Sequence, residues 1–291
     1  MHVALLNSCA TPAREAARYH LEAGGGRLRA RLALASGLTW NTPPNHRIPI
    51  AAACELLHNA SLIHDDLSDG DTRRRDHATV WQRYGRDIAL CAGDLLLTCA
   101  FRLAADIEDA AASQAVARHL AAQTERVIGG QSRELAVRRD ASAPAVAAYI
   151  DATRAKTAPL IELPLAVGAV PDRMPTSAAR TLRQLAEAIG LAYQILDDLD
   201  DCTARSVGNL HEALHPLHAW QRHKPPGRAS VPAARIAHRC QRHARAALAR
   251  AQRLSAGLPA PLGPELRAIV AQLATKADQH AAAVSDWSGK A

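Results

Sequence analysis

Two acidic clusters carry the chemistry that this sequence offers. Asp65-Asp66-Leu67-Ser68-Asp69 and Asp197-Asp198-Leu199-Asp200-Asp201 both read Asp-Asp-x-x-Asp. Side chains four apart on a helix share a face, so Asp65 and Asp69 point one way, and so do Asp197 and Asp201. Carboxylates this close repel and raise each other's pKa unless a cation sits among them. A hard divalent cation such as Mg2+ meets that need. It takes oxygen ligands, keeps several waters and completes its shell with a substrate phosphate. Two such clusters facing one another predict a pocket that holds a diphosphate through Mg2+. A solitary acidic run is ordinarily a solvated helix face. Here the motif recurs with identical spacing. Each copy follows an apolar stretch, Ala60-Ser61-Leu62-Ile63 in one case and Leu191 through Leu196 in the other. A solvated face does not grow out of such a run.

The elements that must position these residues are helical. Ala, Leu and Arg dominate the chain, while aromatic residues make up 3% and β-branched residues are scarce. That mix favours helix over strand, and no period-two apolar stretch of strand length stands out. The expectation is an all-α domain of about ten helices, with residues 1–291 forming a single domain. Breaks are predicted at Thr42-Pro43-Pro44-Asn45, Asp140 to Pro144, Val170-Pro171-Asp172, Met174-Pro175-Thr176, Lys224 to Gly227 and Gly257 to Pro264. Gly129-Gly130 is either another break or a close helix contact.

Net charge is +7. A basic balance suits nucleic acid, an acidic membrane surface or small anionic substrates. No aromatic-basic nucleic-acid motif and no zinc-finger spacing is present, so no nucleic-acid partner is expected. The six cysteines, Cys9, Cys54, Cys91, Cys99, Cys202 and Cys240, form no Cys-x-x-Cys pair. They read as reduced, buried thiols of a cytoplasmic protein. Arg14, Glu15 and Arg18 interrupt any signal-peptide core. No uncharged apolar run reaches membrane-spanning length, so no integral membrane segment is expected.

Other residues stand near the clusters in sequence. Arg73-Arg74-Arg75 follows the first, and guanidinium forks suit phosphate oxygens; the plainer alternative is an exposed basic turn. Lys156-Thr157 lies between the clusters and would by itself be a solvated lysine. Gly24-Gly25-Gly26-Arg27-Leu28-Arg29 brings glycine amides to a helix start, which attracts anions, or is only a flexible turn. His58 sits two helical turns before Asp65. His211, His215, His218 and His223 form a loose cluster, but the carboxylate and Cys pattern of a zinc site is missing.

Together these residues resemble the trans-isoprenyl diphosphate synthases, the polyprenyl synthetase family, over roughly Gly24 to Asp201. The resemblance is densest from Glu55 to Asp66, continues through Arg74, Arg75 and Thr79 to Ala92-Gly93-Asp94, and recurs in Tyr193 to Asp198. It implies a single-domain helical bundle of the isoprenoid synthase type with a central cavity, Mg2+ as cofactor and a homodimer. By resemblance Asp65, Asp66, Asp69, Asp197, Asp198 and Asp201 hold the metals. Arg74, Lys156, Thr157 and Gln194 would bind the allylic diphosphate, with Lys156 counted among the catalytic groups. Arg29, His58 and Arg75 would bind isopentenyl diphosphate. The implied activity is a Mg2+-dependent prenyltransferase that ionises an allylic prenyl diphosphate and condenses it with isopentenyl diphosphate.

The pattern breaks in places. The family has Gly-Gly-Lys-Arg-x-Arg-Pro where this chain has Gly26 at the lysine position and Ala30 at the proline position. The glycine that usually follows the arginine pair is Asp76, and residues 202–223 contain no lysine. Losing one charged donor to a phosphate weakens binding by about 1.5–3 kcal/mol. A terpene cyclase or lyase, or a prenyltransferase with a different acceptor, is therefore the alternative on the same scaffold. Its weakness is the 3% aromatic content, because cyclases steer carbocations with aromatic faces. A non-catalytic partner subunit fits less well, since an unused cluster of like charge only destabilises. Small residues at Ala60 and Ser61 leave room for a long product.

Overall fold

The computed structural model of the chain describes residue 1 and residues 10–139, 145–167, 174–204 and 233–287, and leaves out the side chains of 137–139, 145–149, 201–204, 233–236 and 281–287. The expected helices are present: α1 (Pro12–Glu22), α2 (Leu28–Thr39), α3 (Pro44–Asp69), α4 (Val80–Tyr84), α5 (Arg86–Ala105), α6 (Ala110–Arg139), α7 (Ala145–Lys156), α8 (Ala158–Val167), α9 (Thr176–Ala204), α10 (Ala233–Ala256) and α11 (Leu262–Trp287). A two-residue antiparallel pair, β1 (Arg73–Arg74) and β2 (His77–Ala78), interrupts them. Two compact units form: residues 1–124 with 163–175, and residues 125–162 with 176–291.

In the first unit, local sequence sets the helix ends. Thr11 caps α1, its Oγ1 accepting from Arg14 N at 3.3 Å, and Pro12 follows at the first helical position. Such caps satisfy amides that the helix cannot. α1 buries Ala16, Ala17, His20 and Leu21, one face of a 3.6-residue period. α3 starts at Pro44 and ends at Gly70, whose φ of 73° is the left-handed cap that glycine adopts without strain. Helices α3 and α5 lie along each other, with Leu56, Ile63 and Leu96 fully buried. Close approach is possible because α5 carries Gly93, where a Cβ would run into the His64 ring. Helix α5 is long and apolar enough to cross a membrane by length and composition alone; here it packs along α3. Ser36 Oγ donates to Leu165 O at 2.6 Å and ties the end of α8 to α2.

In the second unit α9, α10 and α11 pack mutually, and α7 lies against α9. Leu182, Leu185 and Ile189 of α9 are fully buried. The Gly129-Gly130 pair is not a break. α6 runs through it, and a Cβ on Gly130 would stand 2.7 Å from the backbone of Ala155 and Lys156. A Cβ on Gly190 of α9 would stand 3.2 Å from the Ala158 backbone, a tight but less severe contact. The α7–α8 junction, which carries Lys156 and Thr157, is thus seated between two glycines. Gly263 and Pro264 fall within the first turn of α11 rather than in the loop before it, a position that proline tolerates.

Among the cysteines, Cys54, Cys99 and Cys240 are buried free thiols as expected, but Cys91 is exposed on α5. Cys9 and the histidines at 211, 215, 218 and 223 lie outside the described residues, as does the lysine-free stretch from 205 to 223.

Candidate functional site

The first acidic cluster closes α3. Asp65 and Asp69 share a helix face by spacing, yet the buried carboxylate is Asp66, 1% exposed. Arg74 reaches back from the hairpin and places Nε at 2.7 Å and Nη2 at 2.6 Å from Asp66 Oδ1. Asp66 Oδ2 has no hydrogen-bond partner among the described residues. Burial pushes the Asp66 carboxyl above the ordinary carboxylate range, and the Arg74 contact opposes that shift without cancelling it. Arg74 stays charged: contact with Asp66 outweighs its own burial and raises it further.

The hairpin that delivers Arg74 is built locally. Arg75 and Asp76 take positive φ values of 51° and 65°, the geometry of a two-residue hairpin turn. Asp71 O accepts from Thr79 Oγ1 and from Trp81 Nε1, both at 2.7 Å, which anchors the hairpin's base. Arg73 Nη2 donates to Asp76 O at 2.7 Å and faces outward. Arg75 Nη1 donates to Gly24 O. A Cβ on Gly25 would meet the Arg75 guanidinium at 2.5 Å. The glycine run and the arginine run, far apart in sequence, are therefore in contact.

Beneath that contact lies a buried polar chain. Glu55 Oε2 accepts from Ala30 N at 3.0 Å. Asn59 Nδ2 donates to Glu55 O at 2.7 Å, and Asn59 Oδ1 stands 3.1 Å from His20 Nε2. His20 is held neutral: burial first, then Arg74 and Arg75, lower its pKa to about 4. Burial and the neighbouring Arg29 likewise hold His58 well below its ordinary value, so it too is neutral. His58 Nδ1 has no hydrogen-bond partner among the described residues. Arg29 is buried on α2. The chain of His20, Asn59 and Glu55 was not singled out from sequence. Its contacts span 25 and 39 residues, and only Glu55 and Asn59, four apart on α3, leave a local trace.

The second cluster lies near the end of α9. Gln194 Nε2 donates to Asp198 Oδ1 at 2.9 Å, and Gln194 Oε1 accepts from Thr157 Oγ1 at 3.1 Å. Lys156 Nζ stands 3.4 Å from Glu134 Oε2, with both side chains largely buried. Four sequence-predicted residues, Lys156, Thr157, Gln194 and Asp198, thus belong to one set of contacts around the α7–α8 junction. Glu134 was missed; Gln131-x-x-Glu134 on α6 gave no distinctive spacing. Asp197 is exposed, and Asp200 meets Lys276 and His280 of α11. The Asp201 side chain lies outside the described residues.

Among the described residues, no three His, Cys, Asp or Glu side chains already converge as a complete protein cage for a metal. Mg2+ does not need one, because it is held through one or two carboxylates plus waters and phosphate. A buried carboxylate oxygen with no hydrogen-bond partner among the described residues, Asp66 Oδ2, next in sequence to Asp65 and three before Asp69, fits that kind of ion.

The sequence profile described as "Polyprenyl synthetase" matches residues 11–209. The chain belongs to the polyprenyl synthetase family. The "Short chain isoprenyl diphosphate synthase" of Methanocaldococcus jannaschii is 35% identical over 186 residues, 64% of this chain and 56% of that protein. The "Farnesyl diphosphate synthase" of Geobacillus stearothermophilus is 34% identical over 196 residues, 65% of each. This polyprenyl synthetase family chain thus matches between about half and two thirds of the length of these relatives. Its fold resembles the geranylgeranyl pyrophosphate synthetase of the archaeon Geoglobus acetivorans, with TM-score 0.79, 24% identity and 94% of each chain covered. It also resembles a decaprenyl diphosphate synthase from Rhodobacter capsulatus, with TM-score 0.76, 22% identity, and 94% of this chain and 92% of that one covered. At these identities the likeness is one of fold, and it is the all-α fold expected from composition.

Proposed function

We propose that this member of the polyprenyl synthetase family is a Mg2+-dependent prenyltransferase that joins an allylic prenyl diphosphate to isopentenyl diphosphate and gives a longer trans-prenyl diphosphate. The observation that carries the reading is the buried Asp66 carboxylate, gripped by Arg74 through one oxygen and without a partner among the described residues at the other, in a chain whose relatives are named as isoprenyl and farnesyl diphosphate synthases. Those names support condensation over the cyclase or lyase alternative.

In this reading Asp65, Asp66, Asp69, Asp197, Asp198 and Asp201 hold Mg2+ on the allylic diphosphate. The metal supplies charge stabilisation for the departing diphosphate. Arg74 and Lys156 add fixed positive charge at the same leaving group, which is worth most where water is excluded. Thr157 and Gln194 orient it: the chain Thr157–Gln194–Asp198 fixes which way the amide presents its donor. Arg29, His58 and Arg75 bind the second diphosphate. His58 contributes there as a neutral hydrogen-bonding group, since burial and Arg29 keep it uncharged. Gly26 contributes no charge at all, so Arg29 and Arg75 carry that half of the site. No protein nucleophile is required: the allylic C–O bond breaks to release diphosphate, the double bond of isopentenyl diphosphate attacks the allylic cation, and the proton then lost passes to the released diphosphate. The protein is proposed to act as a homodimer in the cytoplasm.

The test is direct. Purified protein with Mg2+, labelled isopentenyl diphosphate and geranyl, farnesyl or geranylgeranyl diphosphate is expected to give product longer by five-carbon units. Absence of elongation from every primer, or a hydrocarbon or alcohol from a single prenyl diphosphate, would overturn the proposal.

A further inference from the structure

The chain contains 31 arginines but only four lysines, Lys156, Lys224, Lys276 and Lys290. One of the four, Lys276, stands against the second acidic cluster. Its Nζ forms an ion pair with Asp200 Oδ2 and lies 3.9 Å from Asp197 Oδ1. One turn further along α11, His280 Nε2 is 2.8 Å from the other oxygen of Asp200. His280 is buried and the Lys276 side chain is 30% exposed. Both carboxylate oxygens of Asp200 are therefore engaged by the last helix, while Asp197, one turn earlier on α9, remains exposed. A lysine suits this place in an arginine-rich protein. Its ammonium is a compact point charge that lies near both the Asp200 and the Asp197 carboxylates.

We infer that Lys276 is a positioning residue for the second acidic cluster: with His280 it holds Asp200 against α11, out of the metal set, and its charge sets how tightly Asp197 takes a divalent cation. The inference rests on the metal-dependent reading above and deepens it. A fixed cation this near a ligand opposes a second cation by Coulomb repulsion. It thereby weakens binding of metal alone and favours metal that arrives with a diphosphate, whose negative charge offsets both.

The experiment measures Mn2+ binding by electron paramagnetic resonance, with and without inorganic pyrophosphate, in the full-length protein and in K276Q and K276R. Circular dichroism checks that each variant folds. K276Q is expected to bind Mn2+ alone roughly three- to tenfold more tightly than the parent, and to lose much of the enhancement by pyrophosphate. K276R, which keeps the charge, is expected to stay near the parent. K276Q that binds Mn2+ no more tightly than a metal-binding parent, or K276R that behaves like K276Q, overturns the assignment of Lys276 alone. A parent protein that binds no Mn2+ even with pyrophosphate overturns the metal-dependent reading together with it.

Discussion

Arg74 holds Asp66 through two nitrogens on a single carboxylate oxygen, at 2.6 and 2.7 Å, and leaves the other oxygen unpartnered among the described residues. A buried carboxylate that loses its counter-ion suffers the desolvation penalty in full. Arg74→Ala is expected to lower stability by about 1–3 kcal/mol, and adding Asp66→Asn to that variant is expected to recover part of the loss. Chemical denaturation of the two variants checks this. Equal stability of Arg74→Ala and the parent would show that the pair contributes nothing.

Acid should weaken the fold through His20. Its pKa is about 4 in the folded chain against an ordinary 6.5, chiefly because it is buried. Between those values the unfolded chain binds a proton that the folded one refuses. Stability is therefore complete above the unfolded value and declines as pH falls towards the folded one, by about 3 kcal/mol for this group. His58, pushed down by burial and Arg29, acts in the same direction. His20→Gln is expected to flatten the decline when urea unfolding is followed from about pH 7 to about pH 4.5. A decline as steep in that variant as in the parent would assign the effect elsewhere.

Two adjacent glycines should behave oppositely. A methyl at Gly130 meets the backbone of Ala155 and Lys156 at 2.7 Å, whereas at Gly129 it meets only the tip of Arg133 at 4.0 Å. Gly130→Ala is expected to destabilise by about 1–3 kcal/mol, because backbone must move, and to reduce activity by displacing Lys156 and Thr157. Gly129→Ala is expected to be neutral or stabilising by up to about 1 kcal/mol. Thermal melts and turnover measured side by side on the two variants decide it, and matching behaviour would mean that α6 does not pin the α7–α8 junction.

Gln194 links Thr157 to Asp198. Gln194→Leu removes both hydrogen bonds at similar volume. It is expected to lower kcat/KM by roughly tenfold to a hundredfold and to raise the Mg2+ concentration needed for half-maximal rate, with a stability change under about 1.5 kcal/mol. A Mg2+ dependence identical to the parent's would remove Gln194 from the metal's surroundings.

Much of this was legible in the sequence because it is local. Helical composition set the fold class, the two Asp-Asp-x-x-Asp runs marked the cluster positions, and the Pro43-Pro44 break marked the start of α3. Arg74 and Asp66 are only eight residues apart, so motif order placed them in one neighbourhood, but their ion pair emerged only with the hairpin. What stayed hidden depends on packing between distant segments. The Arg75–Gly24 contact spans 51 residues, His20–Asn59 spans 39 and Lys156–Glu134 spans 22. No periodicity encodes such pairs. Helical spacing put Asp65 and Asp69 on one face but did not show that Asp66, also expected as a metal ligand, would be the buried carboxylate beside Arg74. Lys276 carried no signal in the sequence, because only the packing of α11 beside α9 brings it to Asp200.

The most direct test of the central claim is a diffraction structure with Mg2+ and an unreactive allylic thiodiphosphate. The account predicts metal ions bound to carboxylate oxygens of both the Asp65–Asp69 and the Asp197–Asp201 clusters, around a single diphosphate. Metal on one cluster alone, or a diphosphate seated away from both, would contradict it.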